Sequence, residues 1–419
     1  MLAFSQRFDL RILFIIIACL LIPTTLLLRH GATGLLIVMS TIAVCFKFQH
    51  KAEFKLTWTP SGVAFFLLTV WACCSCLWST ATQVSLISSM RFAFISLAGC
   101  VALQFVQNLR QTHPDLIQKG VLISLITSLG LIGLSLLSHQ FFQDHFLEAV
   151  FNESALNHAT SLLAMLIWPG AYIVLEKKQY LLTAIFIGTC CFAIIYLDNQ
   201  TATIATLLSL GVWGGSFFSP LRWTRILKVL ILLLMALAPV LPKTILAPEI
   251  VHLSFNEWQV KPTLTHRFYI WSLISHRIDE HPFRGGGINS TKIQYNQIAN
   301  AKENQLNELN FTKFIPQASF EKEIAGSALH PHNATLQMWV ELGIPGIALA
   351  ILIVWFIFRE IENIKRPLSQ RMALATFVTT LTISHSSYGL WQTWWMASLW
   401  IITILVFSLI NQTNQRNSP

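Results

Sequence analysis

Residues 329–358 read LHPHNATLQMWVELGIPGIALAILIVWFIF, so that a polar His330-Pro331-His332-Asn333 sequence runs directly into an apolar one. The apolar run is about 25 residues long, which is enough for an α-helix to cross the hydrocarbon core of a membrane. Upstream, residues 242–332 form the only long hydrophilic segment of a chain that is 54% hydrophobic, and they contain six of its 13 histidines. This junction predicts chemistry at one face of a membrane.

Apolar runs of similar length recur along the chain, and only 11% of its residues are charged, against roughly 25% in a soluble domain. We therefore predict an all-α polytopic membrane protein with about twelve transmembrane helices. Gly343, Pro345 and Gly346 predict a kink or a re-entrant break within the tenth span. The predicted spans are residues 12–28, 32–48, 60–78, 86–106, 116–137, 156–175, 180–197, 201–218, 226–242, 333–357, 372–390 and 394–411.

The polar segment divides the chain into three predicted domains. These are a membrane domain of spans 1–9 at residues 1–241, a helical extramembrane domain at residues 242–332, and a membrane domain of spans 10–12 at residues 333–419. Within the middle domain, the apolar stripe of residues 257–277 predicts a helix, and residues 292–309 are predicted to form a polar surface helix. Between them, Gly285-Gly286-Gly287 allow backbone geometry that is closed to other residues.

The distribution of lysine and arginine predicts the orientation of these domains. One set of alternate short loops contains nearly all of these residues, including Lys51, Lys178 and Arg366, whereas the other set contains only Arg29. Positive loops stay on the cytoplasmic side, so we predict cytoplasmic termini and an outer location for residues 242–332. The net charge of +9 is explained by this asymmetry and does not indicate a nucleic-acid partner.

Two residues of the polar segment could act directly on a substrate. His332 lies where the segment meets the membrane, and a neutral imidazole near pH 7 is a suitable general base for a hydroxyl. Arg267 carries a guanidinium, which binds phosphate oxygens bidentately and keeps its charge. The simpler alternatives are a polar helix N-terminus for His332 and a solvated helix face for Arg267. The X-Pro backbone predicts that the rings of His330 and His332 point in different directions.

Other side chains at the outer ends of the predicted spans could bind a substrate. Arg91 lies inside span four, where an arginine is costly unless it is paired or faces a polar cavity; the alternative is that it snorkels to the outer face. Asn333 could orient His332 or bind a sugar, and Trp271 could stack on a sugar or rest at the bilayer interface. The candidates for substrate binding are Arg91, His158, Asn333, His330, Gln200 and Trp271.

In order and content, these motifs resemble the superfamily of O-antigen ligases and lipid-linked polysaccharide polymerases. The similarity covers nearly the whole chain. The segments that carry it are Leu77-Trp78-Ser79, Arg267…Trp271…His281-Pro282…Gly285-x-Gly287, His330-Pro331-His332-Asn333…Glu341-Leu342-Gly343…Gly346 and Leu390-Trp391-Gln392-Thr393-Trp394-Trp395.

The resemblance implies a GT-C-type glycosyltransferase of the bacterial inner membrane that is inverting and needs neither a metal nor a cofactor. Such enzymes move a glycan from undecaprenyl diphosphate to an acceptor hydroxyl on the periplasmic face. The acceptor is the lipid A core for the ligases and a growing glycan for the polymerases. Matched residue by residue, Arg267 corresponds to a diphosphate-binding arginine, and His332 to a proposed base.

The chain departs from the family pattern at two places. Many ligases have an arginine between spans seven and eight, where this chain reads Asn199-Gln200-Thr201-Ala202, and a common Asn-Arg pair appears as Asn157-His158. His158 or Arg91 could compensate for the missing cation. The alternatives to a ligase are a polymerase of the same superfamily, a twelve-span transporter and an inactive scaffold. A single outer domain of about ninety residues and the lack of strong internal halves argue against a transporter.

Overall fold

The structure is a computed structural model that describes residues 16–17, 20–28, 30–50, 59–109, 114–141, 153–245, 267, 270–271, 274–292 and 330–416. Over these residues it is helical and contains no strand, as the sequence predicts. The helices are α1 Leu21–Leu27, α2 Gly31–His50, α3 Pro60–Cys74, α4 Thr82–Leu109, α5 Pro114–Phe141, α6 Glu153–Glu176, α7 Tyr180–Tyr196, α8 Gln200–Gly215, α9 Pro220–Leu237, α10 Val240–Ile245, α11 Ala334–Glu362, α12 Pro367–Ser384 and α13 Thr393–Arg416.

Six helices of the described chain are long and apolar enough to cross a membrane. They are Gly31–Phe48, Pro60–Leu77, Thr82–Val106, Ser154–Glu176, Ala334–Glu362 and Thr393–Ile410. These helices confirm a multi-pass membrane protein, whereas the count of about twelve spans stays a prediction. Most of the domain predicted at residues 242–332, including its helix at 292–309, lies outside the described residues.

Several helices begin at the residues that their sequences favour as N-caps. The hydroxyls of Thr59 and Ser219 each accept a hydrogen bond from a backbone N–H in the first turn of α3 and α9, and a proline follows each cap. Asn199 caps α8, because its Oδ1 atom accepts from the N–H of Ala202 at 3.0 Å. These caps satisfy donors that a helix cannot pair internally, and the Asn199 cap fixes the position of the α8 N-terminus.

Helix α6 lies at the centre of the bundle, since 94% of its Ser154–Glu176 stretch is buried. It packs against α1, α5, α7 and α12. The indole Nε1 of Trp168 donates to Ser209 Oγ at 3.1 Å and to Thr379 Oγ1 at 3.0 Å, which joins α6 to α8 and α12. Interhelical hydrogen bonds of this kind hold helices together in an apolar solvent, where burial against lipid contributes little.

Helix α11 contains the predicted break. Gly343 has φ 62° and ψ −162°, a conformation open almost only to glycine. A Cβ atom at this position would lie 2.4 Å from the carbonyl oxygen of Phe283. The Gly-Ile-Pro-Gly sequence therefore interrupts the helix as predicted, and a neighbouring loop occupies the space beside the break.

The loop that fills the break is residues 281–291, which we call the glycine loop. Its N–H groups at Gly286 and Gly287 donate to the carbonyls of Val340 and Glu341 at 2.9 and 2.8 Å. Gly287 has φ 97°, and a Cβ there would lie 2.4 Å from Ser79 Oγ. A Cβ on Gly285, which has φ 68°, would lie as close to the backbone of Glu341. These two glycines thus allow the loop to approach Ser79 and α11 closely, and the loop satisfies carbonyls that the break leaves without helical partners.

Candidate functional site

The site is built around His332, immediately before the first turn of α11. Asn333 caps that helix, because its Oδ1 atom accepts from the N–H of Leu336 at 3.1 Å. His332 itself has φ 51°, in the left-handed region, and its Nδ1 atom lies 2.5 Å from the carbonyl oxygen of Ser387. Because a carbonyl can only accept, Nδ1 donates the proton, and the lone pair of the neutral imidazole resides on Nε2.

His330 packs directly against His332. The two ring centroids are 4.3 Å apart with a 55° tilt, so the prediction that the rings point in different directions is wrong. The left-handed backbone at His332 turns the chain back, and its N–H donates to His330 Nδ1 at 3.3 Å. A Cβ on Gly389 would come within 2.9 Å of the His330 ring, so only glycine leaves room for it.

Burial is the main cause, and His332 and Arg267 are the further causes, that together lower the pKa of His330 from 6.5 to about 3. His330 is therefore neutral at physiological pH. Its Nε2 atom lies 3.1 Å from Gln392 Nε2, so the side chain is also fixed from the direction of α13. A neutral, immobilised ring is suited to positioning a neighbour rather than to exchanging protons.

Arg267 reaches the same region from the other end of the polar segment. Its Nη1 atom donates to Thr201 Oγ1 at 3.5 Å, and that hydroxyl donates to the carbonyl of Ser386 at 3.4 Å. Ser386 precedes the residue that binds His332, so the cation, through Thr201, and the imidazole, directly, are linked to adjacent residues of one segment. Burial lowers the pKa of Arg267 from its usual value, yet a guanidinium stays charged at any physiological pH.

Two further candidates, Trp271 and His158, are linked to the two histidines by contacts. Trp271 donates from Nε1 to the carbonyl of Pro331 at 3.0 Å, between the two histidines in sequence. The His158 ring stacks on Trp394 with centroids 3.8 Å apart, and Trp394 donates to Gln392 Oε1 at 3.0 Å. A chain of contacts thus joins α6 to His330.

Gln200 is half-buried at the first turn of α8, next to Thr201. Arg91 differs from the other candidates: it is an exposed side chain of α4 and makes no hydrogen bond or ion pair with another described residue. The structure does not bring Arg91 into contact with the His332 cluster.

Sequence reasoning missed Thr201, Ser386 and Ser387 as site residues. Two of them act through backbone carbonyls, which leave no signal in residue type, and the polar Ser386-Ser387 pair between apolar helices was the only indication. Among the described residues, no group of three or more His, Cys, Asp or Glu side chains could hold a metal ion. The absence of a metal requirement stays a prediction.

The described part of the chain is thus a polytopic helical membrane protein with a histidine–arginine cluster at one end of the bundle. Residues 183–351 match the sequence model of a family described as O-Antigen ligase. Relatives from Rickettsia conorii, Rickettsia bellii and Rickettsia prowazekii each carry the name "Putative polysaccharide ligase". These findings support an O-antigen ligase-like family, and the family resemblance predicted from the motifs is confirmed.

The similarity to these relatives extends well beyond the matched family domain. The R. conorii and R. bellii proteins are 26% and 27% identical to this chain, and each alignment covers 81% of it. The alignments cover 77% and 78% of the two relatives. The family match itself contains Arg267, His332 and the break at Gly343, whereas Ser387 lies beyond its end.

Proposed function

We propose that this chain is a glycosyltransferase that moves a polysaccharide from undecaprenyl diphosphate to an acceptor hydroxyl, and that its reaction is O-antigen ligation to the lipid A core. One observation carries the proposal: Arg267 and His332, which are 65 residues apart, are linked to adjacent residues of one loop. Arg267 is linked to Ser386 through Thr201, and His332 contacts Ser387 directly. A phosphate-binding cation and a base held this way suit attack by a hydroxyl beside a departing diphosphate.

His332 is the general base in the proposed mechanism. The acceptor hydroxyl attacks the anomeric carbon of the first donor sugar, and Nε2 of His332 takes its proton. The Ser387 carbonyl accepts from Nδ1 throughout, so that it fixes the tautomer of the neutral ring and stabilises the imidazolium that forms. Attack from the face opposite the leaving group inverts the anomeric centre.

Arg267 stabilises the negative charge that develops on the leaving diphosphate. Electrostatic stabilisation of this kind is commonly the largest catalytic contribution. Thr201 orients the guanidinium from the α8 N-terminus, at the place where many ligases have an arginine. We propose that Arg267 therefore carries more of the diphosphate charge in this chain, with His158, Gln200, Trp271 and Asn333 contacting the glycans. Arg91 has a role only if the donor lipid reaches the exposed face of α4.

The proposed location is the bacterial inner membrane, with the site on the periplasmic face. The support is the asymmetry of lysine and arginine between alternate loops. Cysteine labelling on a cysteine-free background tests it: a cysteine at Ser327 should react without permeabilisation of the inner membrane, and one at Lys178 only after it. The reverse pattern would contradict the proposed face.

Reconstitution tests the function and separates it from its alternatives. The purified chain is placed in liposomes with an undecaprenyl diphosphate-linked glycan and a lipid A core acceptor. Transfer to the lipid A core is the expected result. Lengthening of the lipid-linked glycan instead would identify a polymerase, and solute uptake without transfer would identify a transporter. A folded protein with neither activity would favour the inactive scaffold.

A further inference from the structure

Glu341 is a fully buried acidic residue that lies shortly before the break at Gly343 in α11. Its oxygens accept hydrogen bonds from Thr291 Oγ1 at 2.5 Å, the Asn289 N–H at 2.7 Å and Gln337 Nε2 at 3.1 Å. A fourth bond comes from the indole Nε1 of Trp391. The four donors come from three parts of the chain: the glycine loop, α11 itself and the segment before α13.

The four groups that surround the carboxyl group of Glu341 all donate hydrogen bonds to it, and an ionised carboxylate accepts every one of them. Only the Thr291 hydroxyl could also accept a bond from a protonated carboxyl. No lysine or arginine of the described chain pairs with Glu341. Burying an acidic group without such a partner is costly, and here its bonds join parts of the chain that are far apart in sequence.

The segment that Glu341 holds is the one that contacts the base. Trp391 bonds to the carboxylate directly, and Gln337 bonds to it through Nε2 while its Oε1 accepts from the Leu390 N–H at 2.9 Å. Three residues earlier than Leu390, Ser387 accepts the proton of His332 Nδ1. Glu341 thus fixes Leu390 and Trp391 at one end of a short segment, and Ser387 at the other end of that segment orients the imidazole of His332.

On its other side, the carboxylate holds the glycine loop. Asn289 and Thr291 lie at the end of that loop, which follows the helical residues 274–278 and, before them, Arg267. A single buried side chain therefore joins the part of the chain that supplies the proposed cation to the part that orients the proposed base.

We propose that Glu341 is a positioning residue, whose buried carboxyl group holds the 387–391 segment and the glycine loop together so that the Ser387 carbonyl fixes His332. The inference rests on the proposed function, because it assigns Glu341 a part in the same reaction. Glu341 touches no substrate in this account and acts only through other residues.

Glu341→Gln is the test, since it keeps the shape but replaces one acceptor oxygen with a donor that faces other donors. We expect kcat of the reconstituted protein to fall about 10- to 100-fold, the size that small misplacements of reacting groups produce, with KM for both substrates within about threefold. The low-pH limb of the kcat profile should move to lower pH, because a loosened Ser387 carbonyl no longer favours the protonated imidazole.

Ser88→Ala is the matched control. Ser88 Oγ accepts from Asn289 Nδ2 at 2.9 Å, so this variant disturbs the same loop without touching the carboxylate, and it should keep the kinetics of the wild type. Trp391→Phe removes one hydrogen-bond donor to Glu341 and keeps an aromatic ring at this position. It should show the same pH shift with a smaller fall in kcat, and it replaces Glu341→Gln as the test if that variant fails to fold.

Hydrogen exchange gives a readout that does not depend on turnover. In Glu341→Gln, the amides of Asn289 and Leu390 should exchange faster together, whereas Ser88→Ala should leave Leu390 unchanged. Wild-type kcat, or a loss confined to KM with an unmoved pH limb, would overturn the positioning role. Absence of transfer by the wild type would overturn the proposed function instead, while the exchange result would still decide whether Glu341 joins the two segments.

Discussion

The Nδ1 atom of His332 lies 2.5 Å from the carbonyl oxygen of Ser387, 55 residues later in the chain. The bond joins the residue before the N-cap of α11 to the loop between α12 and α13, and it selects the tautomer that leaves Nε2 as the basic nitrogen. A backbone carbonyl in this place makes the orienting group independent of residue 387's side chain. The geometry of the proposed base therefore depends on the conformation of this loop.

Replacing His332 with alanine should reduce transfer by roughly 10²-fold or more, which is the size expected for the loss of a general base. His330→Ala should cost less, because that ring is neutral and supports His332 instead of taking a proton. The measurement is kcat/KM for the reconstituted protein, with His276→Ala as control, since His276 is exposed. If His332→Ala had a normal rate and His330→Ala a large loss, His330 would be the base and His332 the supporting residue.

Arg267→Lys should lose most of the activity even though the charge is kept, because an ammonium group cannot bind a diphosphate bidentately. Thr201→Val should give a smaller loss, since it removes only the hydroxyl to which the guanidinium donates. The proper control is Arg277→Lys, because Arg277 is a half-buried cation of the same segment that pairs with Glu280 at 3.7 Å. Equal activity of the two lysine variants would remove Arg267 from the mechanism.

Local signals in the sequence predicted much of this arrangement. The break at Gly343 was predictable, because glycine and proline act on their own backbone whatever surrounds them. Gly285 and Gly287, the two glycines of the loop that have positive φ, belong to the Gly285-Gly286-Gly287 triplet, which predicted an unusual backbone conformation. Apolar run length likewise predicted a helical multi-pass protein.

The convergence of the site could not be predicted in the same way. The ring of His332 faces His330 because tertiary contacts with Ser387 hold a left-handed φ that a histidine adopts rarely. Thr201 bonds to a backbone carbonyl of a distant loop, and every residue type carries such a carbonyl. Exposure of Arg91 depends on which face α4 turns to its neighbours, and a helix that is apolar on all sides gives no indication of that face.

The depressed pKa of His330 predicts a loss of stability in acid. The unfolded chain binds a proton at this histidine as the pH falls through 6.5, whereas the folded protein does not until about pH 3. Lowering the pH from 7 to 5 should therefore destabilise the wild type by about 2 kcal/mol through this group. His330→Gln should lose less stability over the same range, as measured by thermal denaturation at both pH values.

The same variant tests the assignment of the base. If His332 is the proton acceptor, we expect the rate to fall below about pH 6 as its imidazole is protonated, and this fall should persist in His330→Gln. Disappearance of the acid limb in the glutamine variant would show that His330 had been titrating.

Excess EDTA should leave transfer by the purified enzyme unchanged, because a diphosphate is already a good leaving group and Arg267 supplies the positive charge. The assay compares initial rates with EDTA, and with EDTA followed by magnesium or manganese. A loss of rate that either metal restores would mean that carboxylates hold a catalytic cation. Asp198 would be the first of these carboxylates to test.

Gly343→Ala should destabilise the protein strongly or prevent its accumulation. The new Cβ would be placed 2.4 Å from the Phe283 carbonyl oxygen, on a backbone with φ 62° that L side chains rarely adopt. Strain in such a conformation alone costs about 1–3 kcal/mol. Relief of the clash would also move the glycine loop away from α11, so the loss of activity should exceed what the loss of folded protein explains.

Gly211→Ala is the control for that comparison, because Gly211 lies within α8 and nothing approaches its added Cβ within 4 Å. Alanine is favoured over glycine in a helix by about 1 kcal/mol, so this variant should be as stable as the wild type or more stable. Thermal midpoints in detergent and transfer rates per folded molecule decide the outcome. Equal behaviour of the two alanine variants would mean that the break in α11 does not hold the glycine loop, and the route by which Glu341 connects the site would have to be abandoned.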